Sequence, residues 1–158
     1  MKNFIARTIT GILFVAAVVV SFLDPVAMIA LFCLVTGLTV WEFTGLVNRR
    51  DDVSVNRFIS TVAGCYFFLA MAGYACGMTP PTVFVPYLVT ILYLLVSELY
   101  AKQPDPIHDW AYTMMSQLYV VLPFSLLNIL AFRVSAEGMT FTSVLPLSVF
   151  VFLWINDT

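Results

Sequence analysis

The sequence predicts an all-α, polytopic membrane protein of about six spanning helices with its N-terminus in the cytoplasm. Three observations carry this. Hydrophobic residues make up 61% of the 158 and charged residues only 10%, with a mean hydropathy of +0.98. Soluble domains run near about 45–50% apolar and about 25% charged, and a fold with a wet exterior has nowhere to hide such an excess. The apolar residues fall into six runs, and roughly 20 residues per span fit about six spans into this length. The runs do not alternate: Ile12 to Val20 is apolar without a break. That excludes a membrane barrel, whose strands alternate, and leaves helices, which pair every backbone group within the segment.

The first span runs from Thr8 to Leu23 (8–23). Lys2 and Arg7 before it give the look of a signal peptide, but the run closes Ser21-Phe22-Leu23-Asp24-Pro25 without a small-x-small site, so it is read as a retained span. The second, 26–47, stops before the polar stretch Asn48 to Asp52. The third, 58–77, is closed by Gly77-Met78-Thr79-Pro80-Pro81. The fourth covers 83–100, the fifth 110–132 and the sixth 144–156.

Charge sets the orientation. With the N-terminus inside, six of the seven Lys and Arg residues (Lys2, Arg7, Arg49, Arg50, Arg57, Lys102) lie in cytoplasmic segments and only Arg133 lies outside, as the positive-inside bias requires. The formal net charge of -2 offers no basic field for nucleic acid. Cys33, Cys65 and Cys76 sit inside apolar runs with no metal or redox spacing, and read as packed or lipid-facing thiols.

Ionisable groups within spans are costly and mark functional candidates. Glu42, beside Trp41 near the cytoplasmic end of the second span, has Arg49 two turns further along the same face; it reads either as a polar group facing a substrate cavity or as an interfacial anchor. Glu98 and Lys102 have the favourable i,i+4 order of a helix-surface pair. In Asp105-Pro106-Ile107-His108-Asp109, two acids and the lone histidine offer a metal site, but Asp105-Pro106 also reads as an N-cap with Pro at the first helical position, with Trp110 and Tyr112 as interface anchors. Gln117 and Asn128, inside the fifth span, are expected to bond to neighbouring helices. Gly73 and Gly77 match G-x-x-x-G only beside a turn. Asp157 stands where the last apolar run meets the cytoplasm, either an ordinary helix-end residue or a ligand to a phosphate-bound divalent ion.

Three short segments resemble a known family. The opening Phe4-Ile5-Ala6-Arg7-Thr8-Ile9-Thr10-Gly11 looks like the start of phosphatidate cytidylyltransferases, the CDP-diacylglycerol synthases. Trp41-Glu42-Phe43 is similar to the aromatic-Glu pair ending their second span. Trp154-Ile155-Asn156-Asp157-Thr158 resembles the start of their W-x-x-D-[ST]-x-A-Y-x-x-G-[RK]-x-x-G segment. The order of these segments runs the length of the chain.

The resemblance implies condensation of CTP with phosphatidic acid to CDP-diacylglycerol and pyrophosphate in phospholipid biosynthesis. It implies a divalent metal, Mg2+, and Asp157 as the catalytic and metal-binding residue, with Asn156 and Thr158 beside it. It places the enzyme in the inner membrane with the active-site side cytoplasmic, among membrane lipids and compatible with a homo-oligomer. The rest of the A-Y-x-x-G-[RK] motif, and the family's later motif rich in Lys, Asp, His and Gly, have no counterpart in this sequence. No polar, basic tail follows Ile155. Residues 1–158 are therefore expected to be the membrane-embedded N-terminal region of a longer enzyme, inactive alone. Another CTP-dependent lipid kinase-like enzyme, or a non-catalytic membrane scaffold, is the competing expectation.

Overall fold

The computed structural model describes residues 2–101, 105–135 and 138–156, leaving aside the side chains of 2–7, 134 and 135. Helix α1 covers Lys2–Ser21, α2 Pro25–Val47 and α3 Arg57–Ala75. A 3-10 turn, Pro81–Phe84, runs straight into α4, Val85–Tyr100. Helix α5, Pro106–Met115, continues through a π-helical turn, Ser116–Val121, into α6, Leu122–Ala131. A short antiparallel hairpin, β1 Phe132–Ser135 and β2 Gly138–Phe141, leads to α7, Val144–Asn156. The protein is an all-α polytopic membrane protein apart from this hairpin. Pro25–Val47, Arg57–Ala75, Pro81–Tyr100 and Pro106–Ala131 are long and apolar enough to cross a bilayer, while Thr8–Ser21 and Val144–Asn156 are apolar but shorter.

Local chemistry starts and stops these helices. Asp24 caps α2 by accepting the Ala27 N–H at 2.8 Å, with Pro25 in the first turn. Asn56 caps α3 through the Ile59 N–H, and Asp105 caps α5 through the N–H groups of Ile107 and His108. A capping oxygen satisfies donors that have no partner within the helix.

Helix α3 ends at Ala75, two residues before the predicted Gly77. Gly77 has φ 70°, its N–H donates to Tyr74 and the Met78 N–H donates back to Gly73. That paired geometry is a Schellman stop, which wants a residue without Cβ. Gly73 and Gly77 thus end a helix and do not form a helix-pairing face.

The fifth span differs most from expectation. It begins at Pro106, not Trp110, because the Asp105 cap operates. It ends at Ala131, since Phe132 is already extended at φ -111° and ψ 136°. Phe132 pairs with Phe141 across the hairpin, their rings 5.3 Å apart, and the Thr142 N–H donates to the Ala131 carbonyl at 2.8 Å. The π turn ends two residues before Pro123. Proline has no N–H to give and its ring presses on the carbonyl four residues back, and a widened turn is one way a helix accommodates that.

Helix α3 is the central element, packed on α2, α4 and the α5–α6 span. Helices α2 and α3 form a hairpin in which a Cβ on Gly37 would lie 2.8 Å from Cys65 Sγ, and one on Gly45 would lie 2.5 Å from the Arg57 guanidinium. Both pairs are equidistant from Asp51. Gly64 of α3 meets Val121 of the π turn, where a Cβ would come within 2.7 Å, and lies against Val40 of α2 as well. Small residues permit this approach, and close packing is what holds helices together in lipid. The aromatic core of Phe22, Phe32, Phe124 and Phe150 joins α1, α2, α6 and α7. Several hydroxyls inside the apolar helices return to their own backbone, as Thr36 to Phe32 and Thr44 to Val40 do, which pairs a polar group within its own segment.

Candidate functional site

The end of the bundle that carries Arg49, Arg50 and Arg57 holds most of the ionisable groups singled out above. The loop between α2 and α3 is laced there on both sides. The Asn48 amide donates to the Val55 carbonyl and accepts the Val55 N–H, both at 2.8 Å. Arg50 donates to both oxygens of Asp52, at 3.1 and 3.0 Å. His108 Nδ1 lies 3.2 Å from Asp52 and 3.2 Å from Asp105. The hydrogen bond from Arg50 holds the Asp52 carboxyl below its usual range.

Asp109, one residue after His108 and so rotated about 100° around the helix, turns inward. It is fully buried. Its Oδ1 accepts the Ser54 N–H at 2.6 Å, and its Oδ2 has no hydrogen-bond partner. Asp105, His108 and Asp109 therefore do not converge on one point. Among the described residues, no group of three or more His, Cys, Asp or Glu side chains is placed to hold a metal. Glu98 is buried as well; its expected partner Lys102 lies outside the described residues. Trp110 is half-buried and donates from its indole to the Leu95 carbonyl at 2.8 Å, so it ties α5 to α4.

Deeper in the bundle, Gln117 donates to the Ser60 carbonyl at 3.0 Å and to Ser116 Oγ at 3.1 Å, and accepts from the Tyr87 hydroxyl at 3.4 Å. Asn128 donates to the carbonyls of Phe68 and Ser125. Both are buried and both cross-link spans, as expected from polar residues in lipid.

Glu42 and Arg49 do come together. They share the wall of a pocket of about 480 Å³ with Trp41, Gly45 and Arg57. Arg57 lies with its guanidinium 4.1 Å from the centre of the Trp41 ring and donates from Nη2 to the Trp41 carbonyl at 2.9 Å. Its Nε is buried without a partner. Among the described residues, neither Arg49 nor Arg57 forms an ion pair. This polar pocket abuts an apolar groove of about 820 Å³ between α2 and α3, the two sharing Leu38 and Trp41. By sequence, Arg57 enters only the charge count that sets orientation. The symmetric spacing of α2 and α3 about their loop was the one signal that set it opposite Gly45.

A polar, arginine-lined mouth on an apolar groove is suited to a charged amphiphile. The family comparison is specific: the cytidylyltransferase family model matches residues 5–158. The chain belongs to the cytidylyltransferase family. This is the CDP-diacylglycerol synthase family that the three short segments resemble. The protein is thus a membrane-embedded nucleotidyltransferase, of a family that acts on CTP and lipid substrates. No curated protein and no solved structure matches the chain. In this cytidylyltransferase Asn156 is the last described residue of α7, and Asp157 and Thr158 lie outside the described residues. Of the family segments, Trp41-Glu42 is the one whose surroundings are fully described.

Proposed function

We propose that this cytidylyltransferase transfers the cytidylyl group of CTP to phosphatidic acid, giving CDP-diacylglycerol and pyrophosphate. The observation that carries this reading is the family match along residues 5–158. A phosphate oxygen of the lipid forms the new bond to the α-phosphorus of CTP. The bond from that phosphorus to the bridging oxygen breaks, and pyrophosphate leaves with the electron pair. Such transfers depend on positioning and on neutralising charge.

The location follows from the two substrates. CTP is too charged to enter lipid, and the lipid phosphate stays at the bilayer surface, so the reaction belongs at an interface. The lysine and arginine bias supports the cytoplasmic face, and the family resemblance supports the inner membrane. Asp157 is the proposed catalytic carboxylate and the ligand to a divalent ion, Mg2+. Such ions take several oxygen ligands, and the described residues do not by themselves build that site. A second copy of the chain beside the first is compatible with the exposed apolar faces of α1 and α4.

The test is transfer of label from CTP carrying α-phosphorus-32 to a chloroform-soluble product, in membranes holding the protein expressed from its native gene. Transfer that needs added phosphatidic acid and a divalent ion, and that disappears in Asp157→Ala, is the expected outcome. Label transfer to a polyprenol, or a silent Asp157→Ala, overturns it.

A further inference from the structure

We infer that the α2–α3 groove is the seat of an anionic glycerophospholipid bearing a phosphomonoester, with the Arg57 and Arg49 guanidiniums holding the phosphate. The inference deepens the reading above, on which it rests only for the identity of the lipid.

The groove runs along α2 from Val26 to Trp41, about 22 Å at 1.5 Å per residue. One leaflet of hydrocarbon is about 15 Å thick, so an acyl chain entering at Trp41 fits within it. Its inner walls are small: Gly37 leaves room against Cys65, and Thr61 adds a methyl group. Any such groove on two bilayer-facing helices fills with lipid tails, so what distinguishes this one is its head end.

There the charge is unbalanced. Two guanidiniums face one carboxylate, Glu42, and no ion pair joins them. Arg57 is fixed rather than free. The Trp41 ring and carbonyl hold it over Gly45, where a side chain would collide with it. That leaves its Nε–H buried with nothing to accept it. A buried donor without a partner is costly, so Arg57 is held there with its hydrogen bonding incomplete, and a phosphate in the pocket brings charge and acceptors to the same guanidinium. Guanidinium suits this role, because its fork matches two phosphate oxygens at once. Trp41, 43% exposed, marks the level at which aromatic rings meet headgroups. The two arginines and Glu42 sum to one positive charge, which an anionic phosphate meets; a monoester also turns more unesterified oxygens to the two guanidiniums than a diester does, and a choline headgroup brings a cation of its own.

Native mass spectrometry of the purified protein, titrated with dioleoylphosphatidic acid or dioleoylphosphatidylcholine and with no CTP present, tests this. Phosphatidic acid is expected to be retained preferentially. Arg49→Gln, on the exposed arginine, weakens its retention about twofold to fivefold, and Arg57→Gln about tenfold or more. Glu42→Gln strengthens it, and phosphatidylcholine retention is unchanged throughout. Should Arg57→Gln fail to fold, Arg49→Gln and Glu42→Gln still decide. Equal retention of the two lipids, indifference to these substitutions, or displacement by millimolar inorganic phosphate overturns the proposal. Because the assay omits CTP, lipid retention without cytidylyl transfer discards the enzymatic reading alone. Transfer without selective retention discards the groove alone.

Discussion

The backbone N–H of Ser54 donates to Oδ1 of the buried Asp109 at 2.6 Å. One hydrogen bond thereby pins the loop between α2 and α3 onto the first turns of α5. The loop also carries Asp52 and Arg50, which meet His108 and Tyr112 of the same helix. This end of the bundle is organised around a carboxylate that water does not reach.

Replacing Asp109 is expected to loosen the loop. Asp109→Ala leaves the Ser54 N–H without its acceptor and lowers stability by about 1–3 kcal/mol, whereas Asp109→Asn keeps an acceptor and costs less. Thermal unfolding in detergent reads the first effect. Limited trypsin digestion at Arg49 and Arg50 reads the second, with faster cleavage in the alanine variant. Equal cleavage in all three proteins would show that Asp109 does not hold the loop.

Gly64 tests the packing of α3 against the π turn. A Cβ there meets Val121 Cγ2 at 2.7 Å, and Val121 is itself fully buried. Gly64→Ala is expected to cost about 1–3 kcal/mol by overpacking. Shortening the neighbour in the double variant Gly64→Ala with Val121→Ala should recover part of that loss. Additive losses in a double-mutant cycle would contradict direct contact.

Gly77 tests the end of α3. Its φ of 70° suits glycine and costs an L-residue about 1–2 kcal/mol. Gly77→Ala should lower the unfolding midpoint accordingly, while Gly77→Asn, better tolerated in this conformation, should lower it less. Identical midpoints for the two variants would overturn the assignment.

The Arg50–Asp52 pair predicts a pH dependence confined to the loop. Hydrogen bonding from Arg50 lowers the folded pKa of Asp52. The pair's contribution is therefore fully present above the unfolded carboxylate value, about 3.9, and is lost as pH falls through the lower folded one. Amide exchange of the loop should accelerate relative to the helices across that acidic interval. Arg50→Gln should move the onset upward, toward the unfolded value.

What was legible in the residues was what neighbours in sequence control. The long apolar runs predicted the spans because a bilayer rewards apolarity over about 20 residues whatever lies beside them. Asp105-Pro106 predicted a helix start because a cap needs only the next three residues. The motif order from Phe4 to Thr158 was enough to name the family that the match along residues 5–158 then established. The hairpin of Phe132 and Phe141 was not legible, since its strands gain their hydrogen bonds only from each other.

Nor did the sequence by itself separate Asp105 and His108, which face the loop, from Asp109, which is sealed inside. All three sit in five residues, and only the packing of α5 against α2, α4 and the α2–α3 loop decides which side of the helix is buried. Arg57 is the clearest case. As a residue it is one more positive charge at a membrane surface. The close approach of α2 and α3 at Gly45 lays it across Trp41 and strands its Nε–H. Hydropathy, caps and charge bias are local sums that the chain states outright. Which polar atom is buried, and which of its hydrogen bonds goes unmade, is a property of surfaces that exist only once the helices have met.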